Sequence, residues 1–309
     1  MSRTPGVPVE FRVFRQRASR RFQARRRAFC ESLRLDHRLR DPAVRRRGIW
    51  AVTVVRNEAD IIGQVVEHLI RQGVEAIIVA DNRSDDGTRQ ALERAAVDAP
   101  IYVCSDPIDA FYQDVKMTVL AEIARDLGAE WVVPFDADEL WFARGETLSE
   151  HLRRSDDDVV TAKIHNVFPS WDDPPANDPL VRLRHMDRKP HYLEKVAFRP
   201  RSLFYLGMGN HRVDVRGTVG NGLFVAHFPW RDREQVRRKV LQGTRGLEKA
   251  NLTSETSVHW RRVAAWSEAE LIDGWDQLLA GHRVREMAWY PRGRLEEVDV
   301  TTWTSWELE

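Results

Sequence analysis

A chain of 309 residues with 42% hydrophobic and 31% charged residues can build a real core, as one large domain or two small ones. Its two cysteines, Cys30 and Cys104, are too few for a disulfide framework and lack the CxxC spacing of a zinc site, which fits a reducing cytosol. No apolar run reaches the ~18–20 residues of a membrane span, and no apolar stretch near the start resembles a secretory signal, so neither is expected.

The net charge of +1 hides an asymmetry. Residues 1–48 hold 15 Arg and no Lys against four acids, Glu10, Glu31, Asp36 and Asp41, giving +11 and leaving −10 for the rest. This arm has helical periodicity, with Phe11, Phe14, Ala18, Phe22, Phe29 and Leu33 near one face. The plainest expectation is a helix packed on the body with its arginines in water. The partner it otherwise suits is an anionic membrane surface. Nucleic acid is not expected, because no base-reading motif accompanies the arginines.

From Ile49 the pattern changes. "IWAVTVV" (49–55) is a continuous, β-branched apolar run that predicts a buried strand. In "EADIIGQVVEHLIRQG" the apolar residues fall at helical spacing, and Gly73 stands where a C-cap belongs. "VEAIIVA" (74–80) predicts a second strand, "DNRSDDG" a polar loop, and Thr88 to Ala96 a helix. "IYVCS" (101–105) is a third strand, Tyr112 to Leu127 a helix ended by Gly128, and "WVVPF" (131–135) a fourth strand. This alternation predicts an α/β fold with a mainly parallel sheet flanked by helices. Beyond Glu146 the alternation stops. Strands are expected in "DVVTAKIHNV", "YLEKVAFRP" and "GLFVAHFPW", and helices in "REQVRRKVLQG" and from Ser267 to Leu279. The closing stretch carries Trp289, Trp303 and Trp306 with little periodicity.

Ligands of parallel α/β sheets bind beyond the carboxyl ends of the strands. Three polar clusters fall at such ends: "RNEAD" after the first strand, "DNRSDD" after the second and "DADE" after the fourth. Carboxylates crowded like Asp136, Asp138 and Glu139 repel one another, so a cation is expected among them. GxGxxG and GxxxxGK[ST] are missing, which excludes the usual dinucleotide and P-loop sites. The loop at Asp81 fails the EF-hand register, with Arg83 at a ligand position and Leu92 at the closing position. Paired hard oxygens at i and i+2 suit Mg²⁺ or Mn²⁺ shared with substrate phosphates.

The ordered set "VVRNEADII", "VADNRSDDGT", "FDADELW" and "HFPWRDREQVRRKV" resembles family 2 glycosyltransferases of the GT-A type, a Rossmann-like fold, in the branch with "RNE" after the first strand. The resemblance runs from residue 52 to about 240. It implies transfer of a sugar from a nucleotide-diphosphate sugar, a UDP-sugar first of all, to a hydroxyl acceptor that is a glycan, a lipid-linked molecule or a small molecule. It implies a Mn²⁺ or Mg²⁺ ion and inversion at the sugar carbon. By position, Asp81 takes the nucleotide base, with Arg56, Asn57, Glu58 and Asn82 lining the same pocket. Asp86 braces the loop or caps a helix, and Lys116 faces the nucleotide or solvent. Asp136 reaches the ribose or metal-bound water, Asp138 ligates the metal, and His227 completes its shell or sits in the core. Arg231 and Lys239 face the diphosphate, and Glu139 the acceptor or the turn.

The family's usual "ED" base is missing, so candidates for the base are His211, Asp172, Asp173 and Asp214. The chain then divides into a basic arm (1–48), a nucleotide-sugar-binding half (49–145), an acceptor-side half of the same domain (146–250) and a helical, Trp-rich C-terminal extension (251–309). Two other functions compete. A nucleotidyltransferase would need GxGTRxxP in the first loop, which "VVRNEADI" lacks. A non-catalytic glycan- or membrane-binding protein that kept the fold is opposed by the intact DxD and His227.

Overall fold

The computed structural model describes residues 9–252 and 258–309. The arm folds as α1 (Val9–Ala18) and α2 (Arg20–Ser32), with Ser19 capping α2 by accepting from the Phe22 amide. It is packed on the body rather than free. Val13 and Phe22 join a cluster with Val115 and Tyr205, and Phe29 is fully buried. Ion pairs fasten the same face: Arg17 and Arg26 both bond Glu122, and Arg12 bonds Asp214. The expected apolar stripe is therefore corrected in its first half. Phe11 and Phe14 are 57% and 65% exposed, because α1 turns Val13 inward instead.

The body begins with β1 (Gly48–Val55), then α3 (Ile62–Arg71), β2 (Ala76–Asp81), α4 (Thr88–Ala95), β3 (Ile101–Ser105), α5 (Gln113–Asp126) and β4 (Ala129–Pro134). Strands β4, β1, β2 and β3 lie side by side and parallel. Alternate residues of β1 explain why its run is apolar throughout. Ile49 and Ala51 face a core with α3 and α4, while Trp50 and Val52 face another with α5. The helix after β1 starts at Ile62 rather than near Glu58, because residues 58–61 form the turn that carries the first acidic cluster.

After β4 the chain reverses within the DADE turn into β5 (Glu139–Ala143), a strand hidden from sequence reading by its acidic start. Then follow α6 (Leu148–Arg154), β6 (Val159–Phe168), α7 (Pro179–Arg182), β7 (His185–Asp187), β8 (Glu194–Phe198), β9 (Tyr205–Leu206), β10 (Val213–Asp214) and β11 (Val219–His227). Helices α8 (Arg233–Lys249), α9 (Val258–Ala264) and α10 (Glu268–Leu279) and strand β12 (Leu295–Glu297) complete the chain. The ten-stranded sheet becomes mixed on this side: β8 is antiparallel to β4 and β6, and β11 is parallel to β6 but antiparallel to β5. That register sets Asn166, His227 and Glu139 in one row across β6, β11 and β5. The helix expected from Ser267 is present, begun by a capping box between Ser267 and Glu270.

Candidate active site

The carboxyl ends of β1 and β4 open into a cleft that α8, α9 and the C-terminal extension cover. One part, about 420 Å³, is lined by Asp136, Asp138, Lys195, His211, His227 and Trp289 among others. An adjoining part, about 170 Å³, reaches Asn57, Asn82, Tyr112 and Lys116. Arg56, Glu58, Lys239 and Trp260 line both.

The three carboxylates of the DADE turn are met by two sets of cations: Lys195 bridges Asp136 and Glu139, while Lys239 and Arg231 meet Asp138. Glu139 is fully buried, accepts from the Asp136 backbone amide at 3.0 Å and lies 2.7 Å from Lys195 Nζ. Burial raises its pKa to about 7, against the pull of Lys195. Asp136 bonds Lys195 Nζ at 2.5 Å and accepts from Asn210 Nδ2 at 3.0 Å. Burial alone would lower the pKa of Lys195, but Asp136 and Glu139 outweigh it and raise it. Lys195, from β8, is thus a cation that sequence reading missed. Its only signal is a lysine inside "EKVAF".

Asp138 has other neighbours. Lys239 Nζ lies 2.5 Å from Oδ2, Arg231 3.8 Å away, and His227 Nε2 3.7 Å from Oδ1. Burial works to raise its pKa, yet Lys239, His227 and Arg231 hold it well below the usual carboxylate range. His227 Nδ1 is 2.8 Å from Asn166 Oδ1, which can only accept, so the proton is assigned to Nδ1 and the Nε2 lone pair faces Asp138. Burial lowers the His227 pKa, which favours this neutral form.

Arg231 is corrected from a phosphate contact to an internal tie. Its side chain is wholly buried, bidentate to Asp60 at 2.5 and 2.9 Å, bonded to Glu58, and donating to the Phe228 carbonyl at 3.3 Å. All three guanidinium nitrogens are engaged, so none is left for a bidentate phosphate contact. Burial opposes its charge, but Glu58 and Asp60 raise its pKa further. Lys239, in contrast, faces the cleft while pairing with Asp138.

The loops after β1 and β2 are bonded to each other. Asn57, at φ 57°, exchanges bonds of 2.8 and 2.9 Å with Asp85, and Asp86 accepts from the Ala59 amide at 3.1 Å and from Thr88. Asp86 thus braces the loop and bonds Thr88, the first residue of α4, whose N-cap is Gly87, and lies outside the cleft lining. Asp81, the expected contact to the nucleotide base, is not among the residues lining these two parts of the cleft. It accepts from the Ser84 amide at 3.1 Å and faces Arg89 at 3.8 Å, while its neighbour Asn82 lines the cleft. Asn82 gives its amide to Asp106 and the Ile108 carbonyl. Lys116 lies 2.5 Å from Asp106 at the inner wall, where burial lowers the lysine pKa and raises that of Asp106. Arg56 donates to Asp109 at 3.2 Å at the rim.

Of the base candidates only His211 reaches the cleft. Its Nδ1 bonds the Glu194 carbonyl at 3.0 Å, so it carries the proton and leaves the Nε2 lone pair free. Burial, aided by Lys195, lowers its pKa to about 4. The ring lies so close over Gly209, at φ 72°, that a Cβ there would come within 2.5 Å of it. Asp172 is exposed, and Asp173 is bonded to the Ser170 amide and His185, neither of them among the cleft residues. Asp214 is buried between Arg12 and Arg212. None of these three is among the residues lining the cleft.

Among solved structures, TarS residues 1–349 of S. aureus in complex with UDP is 14% identical, with 71% of this chain and 70% of that one covered at a TM-score of 0.39. Mannosyltransferase PcManGT of Pyrobaculum calidifontis, in complex with GDP-Man and Mn²⁺, is 14% identical, covering 91% and 94% at 0.40. Mannosyl-3-phosphoglycerate synthase of Rubrobacter xylanophilus is 17% identical, covering 50% and 53% at 0.30. Likenesses at these scores carry no weight for the site. No curated protein matches the sequence. The family model for glycosyl transferase family 2, however, matches residues 50–208, from β1 to the turn before His211. With just over half its length matched, and with its acidic strand ends gathered in one cleft, the chain belongs to glycosyl transferase family 2 and is a glycosyltransferase.

Proposed function

We propose that this glycosyltransferase moves a sugar from a UDP-sugar to a hydroxyl acceptor, with inversion and with a divalent cation at Asp138. The observation that carries this reading is the pairing of Asp138 with His227, 3.7 Å apart, with Asn166 fixing the imidazole so that its Nε2 lone pair faces the carboxylate. The donor set suits Mn²⁺ or Mg²⁺, which take one or two protein ligands and complete their shells with phosphate and water. Charge points the same way. Glu58, Asp60, Asp136, Asp138 and Glu139 face Lys195, Arg231 and Lys239; with burial raising Glu58 and Glu139, the cluster lacks at most two positive charges. An anionic diphosphate would be repelled by such a cluster without an added cation. Asp136, whose oxygens also meet Lys195 and Asn210, stands beside that pair and would reach the ion directly or through metal-bound water.

When bound, the ion would neutralise charge on the departing diphosphate. The chain's own groups do the rest. Lys239, on the cleft side of Asp138, meets the same developing charge. His211 Nε2 takes the acceptor's hydroxyl proton as the acceptor oxygen bonds to the anomeric carbon and the diphosphate leaves with the bonding electrons. A pKa of about 4 makes His211 a weak base by itself, and a neighbouring diphosphate would raise it. Asn57, Asn82 and Lys116 form the nucleoside end and Arg56 its rim, with residues 49–145 as the donor half and 146–250 as the acceptor side.

Calorimetry with UDP, GDP and dTDP, each with and without Mn²⁺, tests the reading. Tightest binding by UDP with Mn²⁺ is expected. Equal affinity with and without the ion would overturn the metal assignment, and a preference for GDP the base assignment.

The two free cysteines support a cytosolic setting, and among the described residues no helix is long and apolar enough to cross a membrane. Exposed Phe11 and Phe14 among arginines support a peripheral contact with anionic lipid, which sedimentation with liposomes tests.

A further inference from the structure

The C-terminal extension lies beyond the family match, yet it returns to the cleft. It does so through a strained corner. Ala288 has φ 62° and ψ −47°, and the Trp289 amide donates to the Met287 carbonyl two residues back at 2.7 Å. This is a γ-turn of the rare φ-positive kind, at a residue with no glycine-like freedom. The corner is held on both sides: Met287 is fully buried, and Trp230 Nε1 donates to the Trp289 carbonyl at 2.9 Å. Backbone strain kept in this way gathers at ligand sites.

What the corner achieves is the placement of one indole. Trp289 lines the cleft, with its ring centroid 4.7 Å from that of His227 and at 77° to it. A second indole, Trp260 of α9, lines the same cleft, lying against Gly243 of α8 so closely that a Cβ there would sit 2.3 Å from the ring. The core tryptophans Trp50, Trp131, Trp141 and Trp230 are fully buried, whereas these two keep part of their surface open to the cleft. Indole faces carry the negative side of a quadrupole, to which the polarised C–H face of a pyranose ring is attracted. His211 and His259 line the same space and can bond ring hydroxyls.

We infer that Trp289 and Trp260 form the acceptor subsite and that the acceptor is a pyranose glycan; this rests on the sugar-transfer reading of the cleft. The hydroxyl to be glycosylated is then presented to His211 from the side of the extension.

The test uses the full chain with UDP and Mn²⁺ present. Intrinsic tryptophan fluorescence is titrated with a panel of methyl glycopyranosides and disaccharides, and with farnesyl phosphate. A saturable change with at least one pyranoside is expected. Trp289→Ala should weaken that sugar's binding at least tenfold, and Trp289→Phe, which keeps a ring and guards against misfolding, by less. Far-UV circular dichroism of both variants should match that of the wild type. No response to any pyranoside, a response to farnesyl phosphate alone, or unchanged sugar binding in Trp289→Ala overturns the inference. If the wild type binds no UDP with Mn²⁺, the nucleotide reading itself has failed, and a sugar response would still uphold the subsite.

Discussion

Lys239 holds its ammonium 2.5 Å from Asp138 Oδ2, on the carboxylate whose other oxygen faces His227. An ammonium and a divalent cation drawn to one carboxylate compete. Lys239→Met should therefore tighten Mn²⁺ binding to the nucleotide-free protein by roughly tenfold, about 1.4 kcal/mol. Binding of UDP should weaken, since a charge that meets the diphosphate is gone. Calorimetry of Mn²⁺ alone and of UDP reads both, and an unchanged Mn²⁺ affinity would show that the lysine does not compete.

His227 and His211 share a neutral tautomer but face different partners, so their variants should separate. His227→Ala is expected to raise the Mn²⁺ concentration needed for nucleotide binding, because a protein ligand is lost. His211→Ala should leave that binding alone and lower transfer by roughly 10²–10⁴, the worth of a positioned base. Reversed behaviour would exchange the two roles.

His68 gives the fold an acid limit away from the cleft. Its Nε2 bonds the Trp141 carbonyl at 2.8 Å, and burial lowers its pKa from 6.5 to about 4. The unfolded chain thus binds the proton first as pH falls. Stability from this residue is complete above pH 6.5 and is lost as pH falls toward 4. Between pH 7 and pH 5 the loss is roughly 2 kcal/mol. Urea unfolding of wild type and His68→Phe at both pH values should show the wild type losing more; equal losses would refute the assignment.

The arm supplies a contrast between two phenylalanines. Phe29 is fully buried and Phe14 is 65% exposed. Phe29→Ala should cost about 3–5 kcal/mol and Phe14→Ser less than about 0.5 kcal/mol in chemical denaturation. Similar effects of the two would mean that the arm does not pack on the body as described.

Where local pattern and tertiary setting agree, the sequence was readable. The apolar run at 49–55, the periodic helix after it, and the helix from Ser267 all formed close to where they were expected. The convergence of "RNEAD" and "DADE" was readable too, because parallel topology alone brings those strand ends together. The partners of the carboxylates were not. Lys195 comes from β8, 59 residues after Asp136, and only the sheet order reveals that it bridges Asp136 and Glu139. β5 was hidden because its first residue is a buried glutamate, tolerable there only beside that lysine. His211, Asp172, Asp173 and Asp214 all stand as base candidates in sequence, His211 first, and the path of the chain puts only His211 among the cleft residues.

The clasp between Arg12 and Asp214 spans 202 residues, and that between Arg25 and the Ala250 carbonyl spans 225. Ribosomes add roughly 5–20 residues per second. The arm thus leaves the ribosome some 10–40 s before its distant partners exist. Phe22 and Phe29 stay uncovered for at least part of that time, amid arginines whose mutual repulsion discourages the nascent chains on one polysome from sticking together.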